Sequence, residues 1–241
     1  MLNDTQIPAP RVSIADKTPP TREWFRFFNS LYNFIGLGTG AVPTTSGGTG
    51  IVTYETGDLL YASAPNVLTR LPVPGEASYL GTDGINMPHW IRVAYGSFTS
   101  LTTQTAAADT PTRVNIATTE LSRHITLAGN RVTVENQGVY TIIFSAQLTN
   151  PNTTTDDDIF MWIRVNGVDV PDSASRVTIV KSHGGTAGNF ILTVNFFYTF
   201  AVNDYLELYW LSLAGHAQIT TFPANTSPAA PGIILTVSQV V

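Results

Sequence analysis

The residues able to do chemistry are few and scattered. The four histidines are His89, His124, His183 and His216. None shares a metal-ligand spacing with another histidine or a carboxylate on one element. His89 sits in a Met-Pro-His-Trp segment and reads as structural, while His183 (beside Gly184-Gly185) and His216 (after Gly215) read as loop-tip residues. There is no cysteine, which excludes thiol nucleophiles, zinc-thiolate sites and disulfides. No Gly-x-Ser-x-Gly elbow supports a serine triad. The chain is expected not to be an enzyme. Its densest charge is the run Asp156–Asp158, which follows Asn152-Thr-Thr-Thr. The simple reading is a solvated hairpin loop. The sharper one is a Ca²⁺ site, since hard oxygen donors concentrated in a loop suit that ion. Three consecutive aspartates in an extended chain cannot all face one ion, so ligands from a symmetry copy would be needed; Asp156 and Asp158 are the weak candidates, and no cofactor is otherwise expected.

The composition narrows the partners. Hydrophobic residues make up 43% of the 241-residue chain, charged residues only 12%, and the net charge is −5. So few basic residues, unclustered, argue against nucleic acid. No apolar run approaches the roughly 20 residues that span a bilayer, so membrane insertion is not expected. Met1–Pro10 lacks the basic head and apolar run of a signal peptide. The cysteine-free composition leans towards assembly in a reducing cytoplasm.

One helix is expected, Thr18–Ile35. Thr18 can cap it, and Pro19 and Pro20 suit a first turn whose N–H groups have no intrahelical acceptor. Trp24, Phe28, Leu31 and Ile35 form an apolar stripe that Phe27 and Phe34 widen. A Gly/Thr/Pro linker follows, Gly36–Gly50, so no adjoining core covers the stripe. It reads as a docking or oligomer-forming helix. Between Gly47 and Trp90 come short strand-like runs (Asp58–Ala62, Val67–Leu71, Ser78–Leu80) too brief to make a stable sheet alone.

From Ile91 onward the chain reads as strands. They are placed near Val93–Leu101, Arg113–Ile116, Ile125–Leu127, Arg131–Val134, Gly138–Asn150, Ile159–Asn166, Ser175–Lys181, Asn189–Val202, Tyr205–Ser212 and Ile233–Val240, separated by Gly, Asn-Gly, Asn-Asp and Pro-Gly turns. Regular spacing of short strands predicts a sandwich. In Gly138–Asn150, Tyr140, Ile142, Phe144, Ala146 and Leu148 point one way, with Ile143 the apolar exception on the other side. In Asn189–Phe200 the set Phe190 to Phe200 is assigned to the core and Phe197 to the opposite face. Ile159–Val165 is apolar on both faces and so must be covered twice. A second copy of the chain is the economical second cover, and Ile143, Trp162 and Phe197 are the expected interface residues of a homotrimer.

Two resemblances sharpen this reading. The Gly-Val-Tyr strand opening at Gly138, the Arg-x-Asn-Gly turn at Arg164–Gly167 and the Asn-Asp-Tyr-Leu-Glu-Leu segment at Asn203–Leu208 resemble the head domain shared by complement-type and tumour-necrosis-factor-like proteins. That resemblance implies a ten-strand jelly roll that trimerises. The stretch from Gly47 resembles a module of bacteriophage fibres. Its marks are Gly-Gly-Thr-Gly (Gly47–Gly50), Gly-Asp-Leu-Leu-Tyr-Ala (Gly57–Ala62), Asn-x-Leu-x-Arg-Leu-Pro (Asn66–Pro72) and Pro-x-Trp (Pro88–Trp90). Where those proteins carry Gly-Gln-Val-Leu, this chain has EASYL, Glu76–Leu80. Glu23–Phe28 is similar to the N-terminal segments of such virion proteins.

The resulting expectation is a mainly β chain of three parts. Residues 1–36 form a virion-anchoring tail and helix (Trp24, Phe27, Phe28, Leu31, Ile35). Residues 37–90 form a linker and short β shaft module. Residues 91–241 form a ten-strand jelly-roll knob. The implied role is a homotrimeric phage tail fibre or spike, held by other virion proteins at its N-terminus and adhering to a host-surface glycan or protein. Asn152, Asp157, His183, His216 and Phe222 are the candidate receptor-binding loop residues. A head fibre, capsid-decorating protein or tail adaptor is the alternative. A glycan-cleaving tailspike is a poorer fit, because acids are sparse and the shaft is short. In each case the chain belongs to the virion exterior.

Overall fold

The computed structural model describes residues 22–34, 48–82 and 85–240. Contacts divide the chain into two units, Met1–Arg92 and Val93–Val241.

In the first unit a helix, α1, runs Arg22–Phe34. The caps expected at Thr18–Pro20, and Ile35, lie outside the described residues. Trp24, Phe27 and Phe28 form an aromatic cluster with ring centroids 5.5–5.9 Å apart. Two antiparallel hairpins follow. Strands β1 (Leu59–Ala64) and β2 (Val67–Leu71) turn at Pro65-Asn66, where Asn66 has φ 60°, a left-handed conformation that asparagine tolerates well. Strand β3 (Tyr79–Thr82) pairs with β4 (Pro88–Ile91), setting Leu80 opposite Trp90. The segments 57–62, 66–72 and 88–90 are tied to one another. Asp58 accepts the Glu55 N–H at 2.8 Å and lies 3.3 Å from Arg70, while Trp90 Nε1 donates to the Pro72 carbonyl at 2.7 Å. No described residue of this unit is buried as a whole.

The second unit holds the core. Its strands are β5 (Tyr95–Ser100), β6 (Gln104–Thr105), β7 (Thr112–Arg113), β8 (Thr118–Arg123), β9 (Ile125–Ala128), β10 (Arg131–Val134), β11 (Gly138–Asn150), β12 (Asp157–Val165), β13 (Val168–Asp169), β14 (Ser175–Ile179), β15 (Gly188–Phe200), β16 (Tyr205–Ser212), β17 (Gln218–Ile219) and β18 (Ile233–Gln239). Two antiparallel sheets result. One runs β14-β12-β16-β10-β9, extended by β13 and β7. The other runs β15-β11-β18-β5-β8, extended by β17 and β6. Consecutive strands β11 and β12, β14 and β15, and β15 and β16 alternate between the sheets, and the ten principal strands make a jelly-roll sandwich.

Alternation fills the space between the sheets. Tyr140, Ile142, Phe144, Ala146 and Leu148 of β11 face Ile159, Met161 and Ile163 of β12 and Leu206, Leu208 and Trp210 of β16, all buried in one cluster. Strand β15 follows the same parity at the edge of its sheet. Phe200 is buried and Leu192, Val194, Phe196 and Tyr198 are half-buried against the core. Phe190, assigned to the core from its parity, is 44% exposed; it lies near the start of β15, an edge strand paired on one side alone, to β11. Strand β8, TTELSR, has no apolar alternation to announce it. It forms by pairing along β5.

Candidate interaction surfaces

The two outer faces of the sandwich differ in kind. Strands β5, β18, β11 and β15 contain no Asp, Glu, Lys, Arg or His. Their outward residues are Thr, Ser, Asn and Gln, interrupted by the half-buried Tyr95 and Val139 and by Ile143, Ile191, Phe197 and Ile234, these four exposed. Phe197 stands out most, at 68% exposure, opposite Thr141, and Ile143 at 38% is opposite Asn195. Thr141 donates to Asn195 Oδ1 at 2.9 Å and Thr193 to Ser145 Oγ at 3.2 Å. These pairs are thereby satisfied within the sheet, and a carboxylate meets the face at its β8 edge, where Thr99 donates to Glu120 Oε1 at 2.7 Å.

The outer face of the other sheet carries the charge. Glu207 points outward from β16 yet its side chain is only 3% exposed, because Arg113 and Arg131 close over it at 2.8 and 3.2 Å, both on Oε1. Burial pushes the Glu207 carboxyl up. Hydrogen bonds from the two guanidiniums outweigh that and hold it below its ordinary value. Arg131 lies over the Tyr205 ring at 4.4 Å and Arg164 over Tyr209 at 3.8 Å. Asp169 Oδ1 accepts from Arg164 Nε at 2.8 Å and from Trp162 Nε1 at 2.6 Å, and Trp162 packs on Tyr209 with centroids 5.9 Å apart.

This arrangement corrects the expected interface trio. Ile143 and Phe197 share one outer face, but Trp162 lies on the opposite side of the sandwich. Its partners, and the Arg176 guanidinium 5.6 Å from the Phe160 ring, supply cover for the second apolar face of β12 from within the chain.

The three aspartates also separate. Asp157 has the parity of Ile159 and Met161, so it points inward and is 2% exposed. Its carboxylate accepts from Ser212 Oγ (2.5 Å) and from the N–H groups of Ala214 (2.9 Å), His216 (2.9 Å) and Ala217 (2.8 Å). Burial alone would raise its pKa; those four donors win and lower it. Asp157 is therefore an internal clamp on the 213–217 loop and is withdrawn as a receptor contact. Asp158 takes Arg176 and Thr178, hydrogen bonds that lower its pKa. Asp156 accepts the Lys181 N–H at 2.8 Å. The weak metal candidates Asp156 and Asp158 line one pocket with Thr178 and Leu213, and each is taken up by a different protein donor. Among the described residues no group of three His, Cys, Asp or Glu could hold an ion.

The remaining loop residues gather at one end of the sandwich. Asn152 Oδ1 accepts from the N–H groups of Thr154 and Thr155, and its carbonyl accepts from Ser182 N, next to His183. His216 is tied in through Asp157. Phe222, half-exposed, pairs with Ala230, and Thr221 N donates to Thr103 Oγ1. Sequence reasoning missed the arginine–tyrosine face, because it arises from residues that only strand pairing brings together.

No protein-family model matches the chain, and no curated protein does. Among solved structures it is similar to the crystal structure of murine APRIL at pH 8.5. That likeness has 11% identity and a TM-score of 0.37, and it covers 62% of this chain and all of that one. At those values it bears on neither partners nor activity.

Proposed function

We propose that this chain is a structural protein of a phage virion, a homotrimeric fibre whose residues 1–35 dock on the particle and whose jelly-roll knob adheres to a host surface. The observation that carries it is the apolar character of the outer face of β5, β18, β11 and β15, four strands without a charged residue. A face that brings Ile143, Ile191, Phe197 and Ile234 into water, with the Glu120 carboxylate held at the β8 edge by Thr99, suits contact with copies of itself. Each large apolar side chain covered there contributes roughly 1.5–3 kcal/mol. The first unit supports the same reading. Its hairpins bury no residue, and two-stranded hairpins are marginal alone in water, so neighbouring copies would supply their missing core. Its tied motifs are those that resemble a fibre shaft. The knob makes and breaks no bond in this reading; three sites on one rigid trimer gain avidity of about 10²–10⁴ over one.

The test is the absolute mass of the purified full chain by light scattering, with incorporation into particles for a chain lacking residues 1–35. A species of three times 26.0 kDa, and a truncated chain that no longer joins particles, are expected. A stable monomer sinks the reading.

A further inference from the structure

We infer that the arginine–tyrosine face of β10, β16 and β12 is a binding site for an acidic saccharide, one carrying a carboxylate on its sugar ring. The inference deepens the adhesive reading above and rests on it, since that reading turns the face of Ile143 and Phe197 towards other copies and leaves this face outward.

Three observations carry it. The first is charge. Arg113, Arg131 and Arg164 surround Glu207: Arg164 is its cross-strand partner, and Arg131 and Arg113 hydrogen-bond to its Oε1. Asp169 answers Arg164. Three guanidiniums therefore meet two carboxylates, leaving one positive charge in excess on a chain whose net charge is −5. The second is donor supply. Arg131 and Arg164 engage their carboxylates through Nε, and Arg164 also hydrogen-bonds Tyr209. The terminal edge of the half-exposed Arg131 is the one that can grip a ligand carboxylate in two parallel bonds. Both guanidiniums are already held over tyrosine rings, 4.4 and 3.8 Å from the centroids, so little freedom is lost when a ligand arrives. The third is shape and surface. Trp162 and Tyr209 form an aromatic patch beside those donors, and the half-exposed Asp169 carboxylate adjoins it. A pyranose has an apolar C–H face for an aromatic ring and hydroxyls for a carboxylate acceptor. The site is a flat sheet face, which suits a planar sugar better than the side chains of a peptide. A single surplus charge is too little for nucleic acid, whose affinity comes from neutralising several phosphates.

The experiment is calorimetric titration of the full chain with tetragalacturonate, and separately with its carboxyl-reduced neutral counterpart, at low and high salt. The variants Arg131→Gln and Arg164→Gln are titrated alongside, each checked for an unchanged melting transition. Arg131 is half-exposed, and Glu207 keeps Arg113 in its absence, so at least that variant is expected to fold. The expected result is binding of the acidic sugar that weakens with salt, falls about tenfold or more in either variant, and is lost for the neutral counterpart. No binding of tetragalacturonate, equal binding by the folded variants, or equal binding of the neutral sugar would each overturn the proposal. Light scattering on the same samples keeps the two readings apart. A monomer that binds through Arg131 sinks the fibre and leaves the site; a trimer that ignores the uronate does the reverse.

Discussion

Asp157 Oδ2 and Ser212 Oγ lie 2.5 Å apart with both residues shielded from solvent. They join the first residue of β12 to the last of β16, and the same carboxylate holds the loop beyond. Asp157→Asn turns an acceptor oxygen into a donor facing N–H groups. It should lower unfolding stability by about 2–3 kcal/mol, read by urea denaturation, with the 213–217 amides losing most hydrogen-exchange protection. A wild-type-like midpoint would show the clamp to be dispensable.

Both buried carboxylates set a pH dependence with one sign. Asp157 and Glu207 have folded pKa values below their ordinary 3.8 and 4.5. Their contribution is complete above those ordinary values and is lost as pH falls through the depressed folded ones. Thermal stability should be flat at neutral pH and fall below about pH 4. Glu207→Gln should destabilise at pH 7 by about 2–3 kcal/mol, because two guanidiniums lose their shared anion, and should reduce the acid dependence. An unchanged acid limb in that variant would assign the effect elsewhere.

Phe197→Asp places a charge among the exposed apolar residues of β11 and β15 without touching the core. The knob should keep its circular dichroism and melting cooperativity while its scattering mass falls from trimer to monomer. Trp162→Ala, on the opposite face, should leave the mass unchanged. Dissociation by the tryptophan variant and not by the aspartate one would put the interface on the wrong sheet.

Arg70→Ala leaves the shielded Asp58 carboxylate without its cation. Roughly 2 kcal/mol of local stability should go, a factor of about 30 in opening of the β1–β2 hairpin. Limited chymotrypsin digestion should show it as faster cleavage near Tyr54 and Tyr61, with residues 93–241 left intact.

Chelation should change neither mass nor melting temperature, since Asp156, Asp157 and Asp158 each face protein donors. A melting temperature that rises on adding calcium would mean that these carboxylates rearrange to take an ion.

Much of the sandwich was legible because one of its signals is purely local. Strand parity put Tyr140 to Leu148 inside and Ile143 outside, and the Asn166-Gly167 and Asn203-Asp204 turns bounded their strands. The same parity, carried two residues back from Ile159, would have turned Asp157 inward; the acidic run drew attention to charge and away from period. The surfaces were less legible. Nothing near Trp162 in sequence announces Tyr209 as its neighbour, and nothing near Glu207 announces Arg113 and Arg131. Short edge segments such as β8 owe their form to the strand they join and carry no pattern of their own.

The position of β18 sets a timetable. Ile233–Gln239 is inserted between β5 and β11, pairing with both, so the first long strand of the knob stays without its neighbour until the ribosome has added about 130 more residues. At 5–20 residues per second that is on the order of ten seconds. In the last quarter of this interval β11 and the charge-free β15 are both complete in the nascent chain with the sheet still open at its centre. Closure of the sheet is thus a late event, and a chain stalled upstream of Ile233 would be a substrate for chaperones rather than a subunit.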